Sequence, residues 1–154
     1  MIGNDLVDLT LAKTESNWRR KGYLNKIFTI AEQEIILSAA KPDEMVWTFW
    51  SMKEAAYKIH NRKTGVRNFA PTKLACWVEF AGNNITGFVR IDEVIYFTET
   101  SIFSDYIHTI AGCCFEQLPE IKTSIYEWPN NEFDYKKLGA GCVSHHGRFL
   151  ALVY

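Results

Sequence analysis

No stretch of this chain approaches the roughly 18 consecutive apolar residues of a membrane-spanning helix, and no basic segment followed by an apolar run stands at its start. Neither membrane insertion nor secretion is expected, and the cytoplasm is the expected compartment. Charge of one sign is also lacking: a net charge of −1 argues against a general nucleic-acid binder, which carries a basic excess. The four cysteines, Cys76, Cys113, Cys114 and Cys142, form no CxxC pair and have no histidine at metal-ligand spacing. They are expected to be free thiols, mostly buried in strands, with Cys113 and Cys114 on opposite faces of one. Internal repeats and low-complexity segments are absent as well.

What is present is the material of one globular core. The 154 residues are 47% hydrophobic, 14% aromatic and 23% charged, and a chain of this length buries roughly two-thirds of its unfolded surface. A single domain, 1–154, is expected. "MIGNDLVDL" reads as a short buried strand interrupted by Asp5, and a helix is expected from about Thr14 to Ile27, broken or bent at Gly22. Thr29 followed three residues later by Glu32 has the spacing of a capping box and starts the helix "IAEQEIILSAA". Pro42, Asp43 and Glu44 open a longer one. After Gly65 the period changes to two, and "TKLACWVEF", "ITGFVRI", "EVIYFTET", "DYIHTIAGCCF" and "CVSHHGRFLALVY" read as five strands, the first two joined by a turn at "AGNN". "EWPNNEFDYKKLGAG" reads as a loop with one helical turn. The fold class is α+β, with helices in the first half packed on a mainly antiparallel sheet.

The long helix contains "WSMKEAAYKI". Met45, Phe49, Met52, Ala56 and Ile59 form a continuous apolar stripe, while Trp47, Trp50, Glu54 and Lys58 form a second line on the same helix. Glu54 and Lys58 at that spacing suit a surface ion pair of about 0.2–0.5 kcal/mol. Asp5, buried in a strand, needs a cation: an arginine, a turn it could cap, or a metal shared with a second carboxylate such as Glu54.

Four segments, "IGNDLVDL", "KGYLNKIFTIAEQEII", "WSMKEAAYK" and "VSHHGRFLALVY", occur in this order. Together they resemble the 4'-phosphopantetheinyl transferase superfamily, most of all its short, single-repeat holo-acyl-carrier-protein synthase type, over residues 2 to 59 and 142 to 154. The resemblance implies that fold, and transfer of 4'-phosphopantetheine from coenzyme A to a serine of an apo acyl or peptidyl carrier protein, with release of 3',5'-ADP. The pathway would be fatty-acid or polyketide assembly. Mg2+ would be held by Asp5 and Glu54, with Glu54 and Lys58 catalytic and Lys53, Lys58, Arg62 and His145 near the coenzyme A phosphates. Arg62, Lys63 and Arg67 stand where the family has a glycine-rich turn, and Asp8 is a doubtful ligand because an odd offset turns it away from Asp5. His60 and His108 are left as structural, and His146 is read as the exposed neighbour of His145 or as structural. Arg19, Arg20, Lys21 and Lys26 on the first helix would dock an acidic carrier. A homotrimer is implied, with His145 of one chain serving Asp5 and Glu54 of its neighbour. Two other readings remain: a non-catalytic homologue that binds coenzyme A or a carrier, and a structural α+β oligomer in which Glu54 and Lys58 are only a surface pair.

Overall fold

The computed structural model describes residues 1–81, 84–127 and 134–154. The chain begins with strand β1 (Ile2–Asp8), followed by helices α1 (Leu9–Glu15), α2 (Tyr23–Ile27), α3 (Ile30–Ser38) and α4 (Pro42–Thr64). Strands β2 (Leu74–Ala81), β3 (Asn84–Ile91), β4 (Val94–Ile102) and β5 (Tyr106–Gly112) come next, then β6 (Thr123–Glu127), β7 (Cys142–His146) and β8 (Phe149–Val153). Among these residues two antiparallel sheets form, one of five strands in the order β1-β5-β4-β3-β2 and one of three in the order β6-β8-β7. The class is α+β.

Helix α4 organises the core. Its stripe from Met45 to Ile59 is at most 5% exposed, and it packs on Val7, Leu74, Val89, Tyr96, Ile107 and Ala111 from the larger sheet. Pro42 lies in its first turn with Asp43 and Glu44, and Gly65 ends it at a φ of 71°. The approach of β1 to α4 requires glycine at position 3, since a Cβ there would run into the Ala55 carbonyl oxygen. Leu6, one strand face away, instead packs with Phe149 and Ala151 of the smaller sheet. Thr29 and Glu32 form the expected capping box.

Several expectations are corrected. The helix expected over Thr14–Ile27 is two short ones: Asp8 accepts the N–H groups of Thr10 and Leu11, which starts α1 earlier, and Ser16 is already extended. Arg19, Arg20 and Lys21 therefore lie in the connection before Gly22, whose φ of 84° precedes α2. "CVSHHGRFLALVY" is a hairpin rather than one strand, because Gly147, at a φ of 55°, turns the chain between β7 and β8. Strand β6, "TSIYE", was not foreseen. Strand β5 ends at Gly112, so Cys113 and Cys114 do not occupy opposite faces of a strand. All four thiols are free, but Cys114 is exposed and Cys113 only half-buried. The "AGNN" turn centres on residues 82–83, and the first part of the "EWPNNEF" loop on 128–133, both outside the described residues; Tyr135–Leu138 does form a helical turn.

Candidate active site

One cleft of about 350 Å³ lies where β1, α1, α4 and β7 meet. Asp5, Trp47, Trp50, Glu54, His145 and His146 are among the residues that line it. Both carboxylates of the expected pair thus reach one space, as the strand parity of β1 and the Trp50–Glu54–Lys58 line of α4 imply.

Asp5 is 8% exposed. Its Oδ1 accepts a hydrogen bond from Ser144 Oγ at 3.2 Å and lies 3.4 Å from Lys58 Nζ. Burial pushes its pKa up, and Lys58 and Ser144 only partly oppose that. Lys58 Nζ also donates to the Asn4 carbonyl at 2.7 Å, so one of its three N–H groups is left to reach an anion. Glu54 makes no hydrogen bond among the described residues. Its pKa is pushed up to about 7 by burial and then by the Asp5 charge, against a smaller opposing effect of Lys58.

This is a donor set that suits a hard divalent cation. Two carboxylates line one cleft with the Lys58 ammonium beside Asp5; burial raises both pKa values, the Asp5 charge adds to the rise of Glu54, and a cation would favour both ionised forms. Among the described residues no three His, Cys, Asp or Glu side chains stand close enough to hold a metal ion by themselves. Such a cation would complete its shell with water and substrate oxygens, the usual arrangement for magnesium.

Two of the expected phosphate contacts are elsewhere. Lys53 is fully buried on the core side of α4, where its Nζ meets Glu32 Oε2 at 2.7 Å and donates to the Ile27 and Pro71 carbonyls at 2.9 and 2.7 Å. It is a core ion pair, because its position one residue before Glu54 turns it about 100° round the helix. Arg62 is also committed: its Nε donates to the Lys58 carbonyl at 3.0 Å, Nη1 to Gly141 at 2.9 Å and Nη2 to the Ile2 carbonyl. It ties α4 to β1 and to the approach to β7. Lys63, one residue on, lies over the Tyr96 ring.

The Asp8 carboxylate is engaged by the N–H groups of Thr10 and Leu11 and by Arg148, whose N and Nε lie 3.0 and 3.1 Å from Oδ2. Burial alone would raise its pKa, but those donors, Arg148 first, hold it at about 2. His146 accepts the Asp8 N–H on Nδ1 at 2.9 Å, which puts the ring proton of the neutral tautomer on Nε2, facing Glu15 at 3.4 Å. His145 is the exposed member of the pair, at the rim of the cleft. It lines that cleft with Asp5 and Glu54 of its own chain. His108 and His60 are buried, beside Asn4 and the Tyr96 hydroxyl respectively. Of the basic docking group, Arg19 is bound bidentately by Asp43 and stacks on Trp18, while Arg20, Lys21 and Lys26 are exposed. Ser144 went unassigned in the sequence; the signal for it was its place beside His145, two residues before His146.

A larger groove of about 660 Å³, lined by Ile35, Met45, Phe80, Ile102 and Phe103, is mostly apolar, and its ionisable residues Lys41 and Glu44 pair with each other. It lacks the chemistry of the smaller cleft.

The sequence model of the 4'-phosphopantetheinyl transferase superfamily matches residues 1–111. The chain belongs to that superfamily. The reaction shared by its members is transfer of a 4'-phosphopantetheinyl group. A search of the curated proteins finds no match. The fold is similar to the crystal structure of holo-[acyl-carrier-protein] synthase from Neisseria meningitidis, with a TM-score of 0.54 and 19% sequence identity, covering 71% of this chain and 94% of that one. The matched segment contains Asp5, Glu54 and Lys58 but ends before β6, β7 and β8. No helix among the described residues is long and apolar enough to cross a membrane.

Proposed function

We propose that the whole chain acts as one transferase domain that moves 4'-phosphopantetheine from coenzyme A to a serine of an apo acyl or peptidyl carrier protein, in an Mg2+-dependent reaction. The observation that carries this reading is the convergence of Asp5, Glu54 and His145 on one cleft, with Lys58 bonded to Asp5 behind it. In the reaction the serine oxygen forms a bond to the β-phosphorus of coenzyme A, the bond to 3',5'-ADP breaks, and the serine proton is lost. Asp5 and Glu54 would hold Mg2+, which supplies charge neutralisation for the pyrophosphate when bound. Lys58 holds Asp5 in place and offers its remaining N–H to a phosphate oxygen. Glu54, at the mouth side of the pair, takes the serine proton. Trp47 and Trp50 wall the cleft and restrict water, and His145 at the rim is placed to meet a coenzyme A phosphate.

The carrier approaches over the exposed Arg20 and Lys26, with Arg19 beside them. Acidic carriers suit such a surface, and its effect would fall mainly on encounter rate. A cytoplasmic setting accords with four free thiols. Within one chain His145 lines the cleft with Asp5 and Glu54, and the homotrimer implied by the resemblance is part of this reading. The test is incubation with coenzyme A, Mg2+ and candidate apo-carriers, read by intact mass. A carrier gaining the phosphopantetheine mass is the expected result; magnesium-dependent uptake of coenzyme A in calorimetry without any such gain would identify a binding homologue instead.

A further inference from the structure

Among the described residues, the edge of β1 turned away from β5 is not paired with the backbone of another strand. Leu6 donates its N–H to Ser144 Oγ at 3.1 Å, and Asp8 donates its own to His146 Nδ1 at 2.9 Å. Donors and acceptors are each two residues apart, so side chains of β7 satisfy successive outward amides of β1. Arg148, two residues further on, continues the series with its backbone N–H and guanidinium on the Asp8 carboxylate. Gly147 makes the fit possible, because a Cβ there would stand 2.5 Å from Asp8 Oδ2. At the opposite end Arg62 joins the carbonyls of Ile2 and Gly141, and the Asn4 amide donates to the Ala151 carbonyl at 3.2 Å. The hairpin is thus stitched to β1 along its whole length. One stitch, Ser144, also donates to Asp5 Oδ1 in the cleft.

We propose that Asp8 and Arg148 form a latch that seats the β7–β8 hairpin on β1, so that Ser144 holds the Asp5 carboxylate and His145 stands at the rim. Asp8, Arg148 and Ser144 are then positioning residues. The segment that supplies the last two lies beyond the residues matched by the superfamily, yet it bonds directly to a carboxylate within them. The consequence for activity rests on the transferase reading; the seating of the hairpin does not.

The test uses the full chain and two readouts. In Arg148→Ala, amide exchange over 142–153 should accelerate by about tenfold or more, while β2 to β4 keep their protection. Magnesium-dependent coenzyme A binding should weaken by about tenfold, and by less than about threefold when Arg148→Ala is added to Ser144→Ala, because the latch acts through Ser144. Arg148→Lys keeps the charge without the fork and should lie between; it carries the same comparison if Arg148→Ala does not fold. Unchanged exchange over the hairpin, or a full loss of binding again in the Ser144→Ala background, overturns the proposal. If the wild type takes up no coenzyme A, the transferase reading fails and the exchange measurement alone decides the latch.

Discussion

Two neighbouring residues of α4, Lys53 and Glu54, show how a helix separates support from chemistry. Lys53 is enclosed with Glu32, which also caps α3 and accepts the Cys76 N–H at 2.8 Å, so this one pair binds α3, α4 and β2 together. Removing one member leaves a buried charge, and Lys53→Met is expected to cost about 3–5 kcal/mol in denaturant unfolding. Glu54→Gln and Asp5→Asn are expected to do the reverse: transfer falls at least about a hundredfold, yet neither protein melts below wild type, because metal-holding charge rather than core volume is lost. Full transfer in either variant would remove the metal assignment. Asp5, Glu54 and Lys58 were legible because each is a charge set at strand or helix spacing among apolar residues. Lys53 and Arg62 were not, since a local sequence does not tell whether the partner of a cation is a ligand or a distant carboxylate or carbonyl. Nor was the engagement of Asp8 legible, since its partner Arg148 is 140 positions away.

At the scale of elements, the pattern of hydrophobic residues placed α3, α4 and β1 to β5, where periodicity runs long enough to be distinctive. It failed where elements are short or where tertiary bonds set the boundary. The segment from Ser16 to Gly22 has helical composition, but Trp18 Nε1 donates to Asp43 at 2.7 Å and Arg19 clasps the same carboxylate, drawing it onto the start of α4 instead. Strand β6 spans five residues in a polar stretch and exists by pairing with β8. The connection before α2 therefore presents Arg20 on a loop fixed to α4, with Lys26 beyond it on α2. Reversing Arg19 and Arg20 to Glu is expected to slow productive encounter with an acidic carrier by about tenfold at low salt, with little change in coenzyme A binding and a flatter salt response. Because Arg19 also holds Asp43, the single Arg20→Glu variant separates docking from local stability. Carrier kinetics unchanged at low salt in both would remove the patch from the docking surface.

For the molecule as a whole, buried titratable groups make stability depend on pH in opposing directions. Glu54 has its folded pKa pushed up from 4.5 to about 7, so the unfolded chain releases its proton first and stability falls as pH rises between those values. Asp5 is raised too and acts in the same sense. His108 is held down, from 6.5 to about 4, by burial and then by Lys58, so the unfolded chain takes up a proton first and stability falls as pH drops through that window. The two effects oppose each other between about pH 4.5 and 6.5, leaving the Glu54 loss uncompensated from there to about pH 7.5. Asp8, held at about 2, adds a stabilisation that is complete above its unfolded value and is lost as pH falls from about 4 toward 2. The apo wild type is therefore expected to have a broad stability maximum below pH 6.5 and to lose stability on passing to pH 8. Glu54→Gln should instead gain stability from pH 4.5 to 6.5 and then stay level, exceeding wild type at pH 8 by about 1–3 kcal/mol and matching it near pH 4.5. Mg2+ should raise the wild-type melting temperature at pH 8, above the value of about 7 to which Glu54 is pushed, and do little for Glu54→Gln. Melting curves at four pH values with and without Mg2+ check all three statements. A wild type that is as stable at pH 8 as at pH 6, and indifferent to Mg2+, would mean that Asp5 and Glu54 do not share a crowded, cation-seeking cleft.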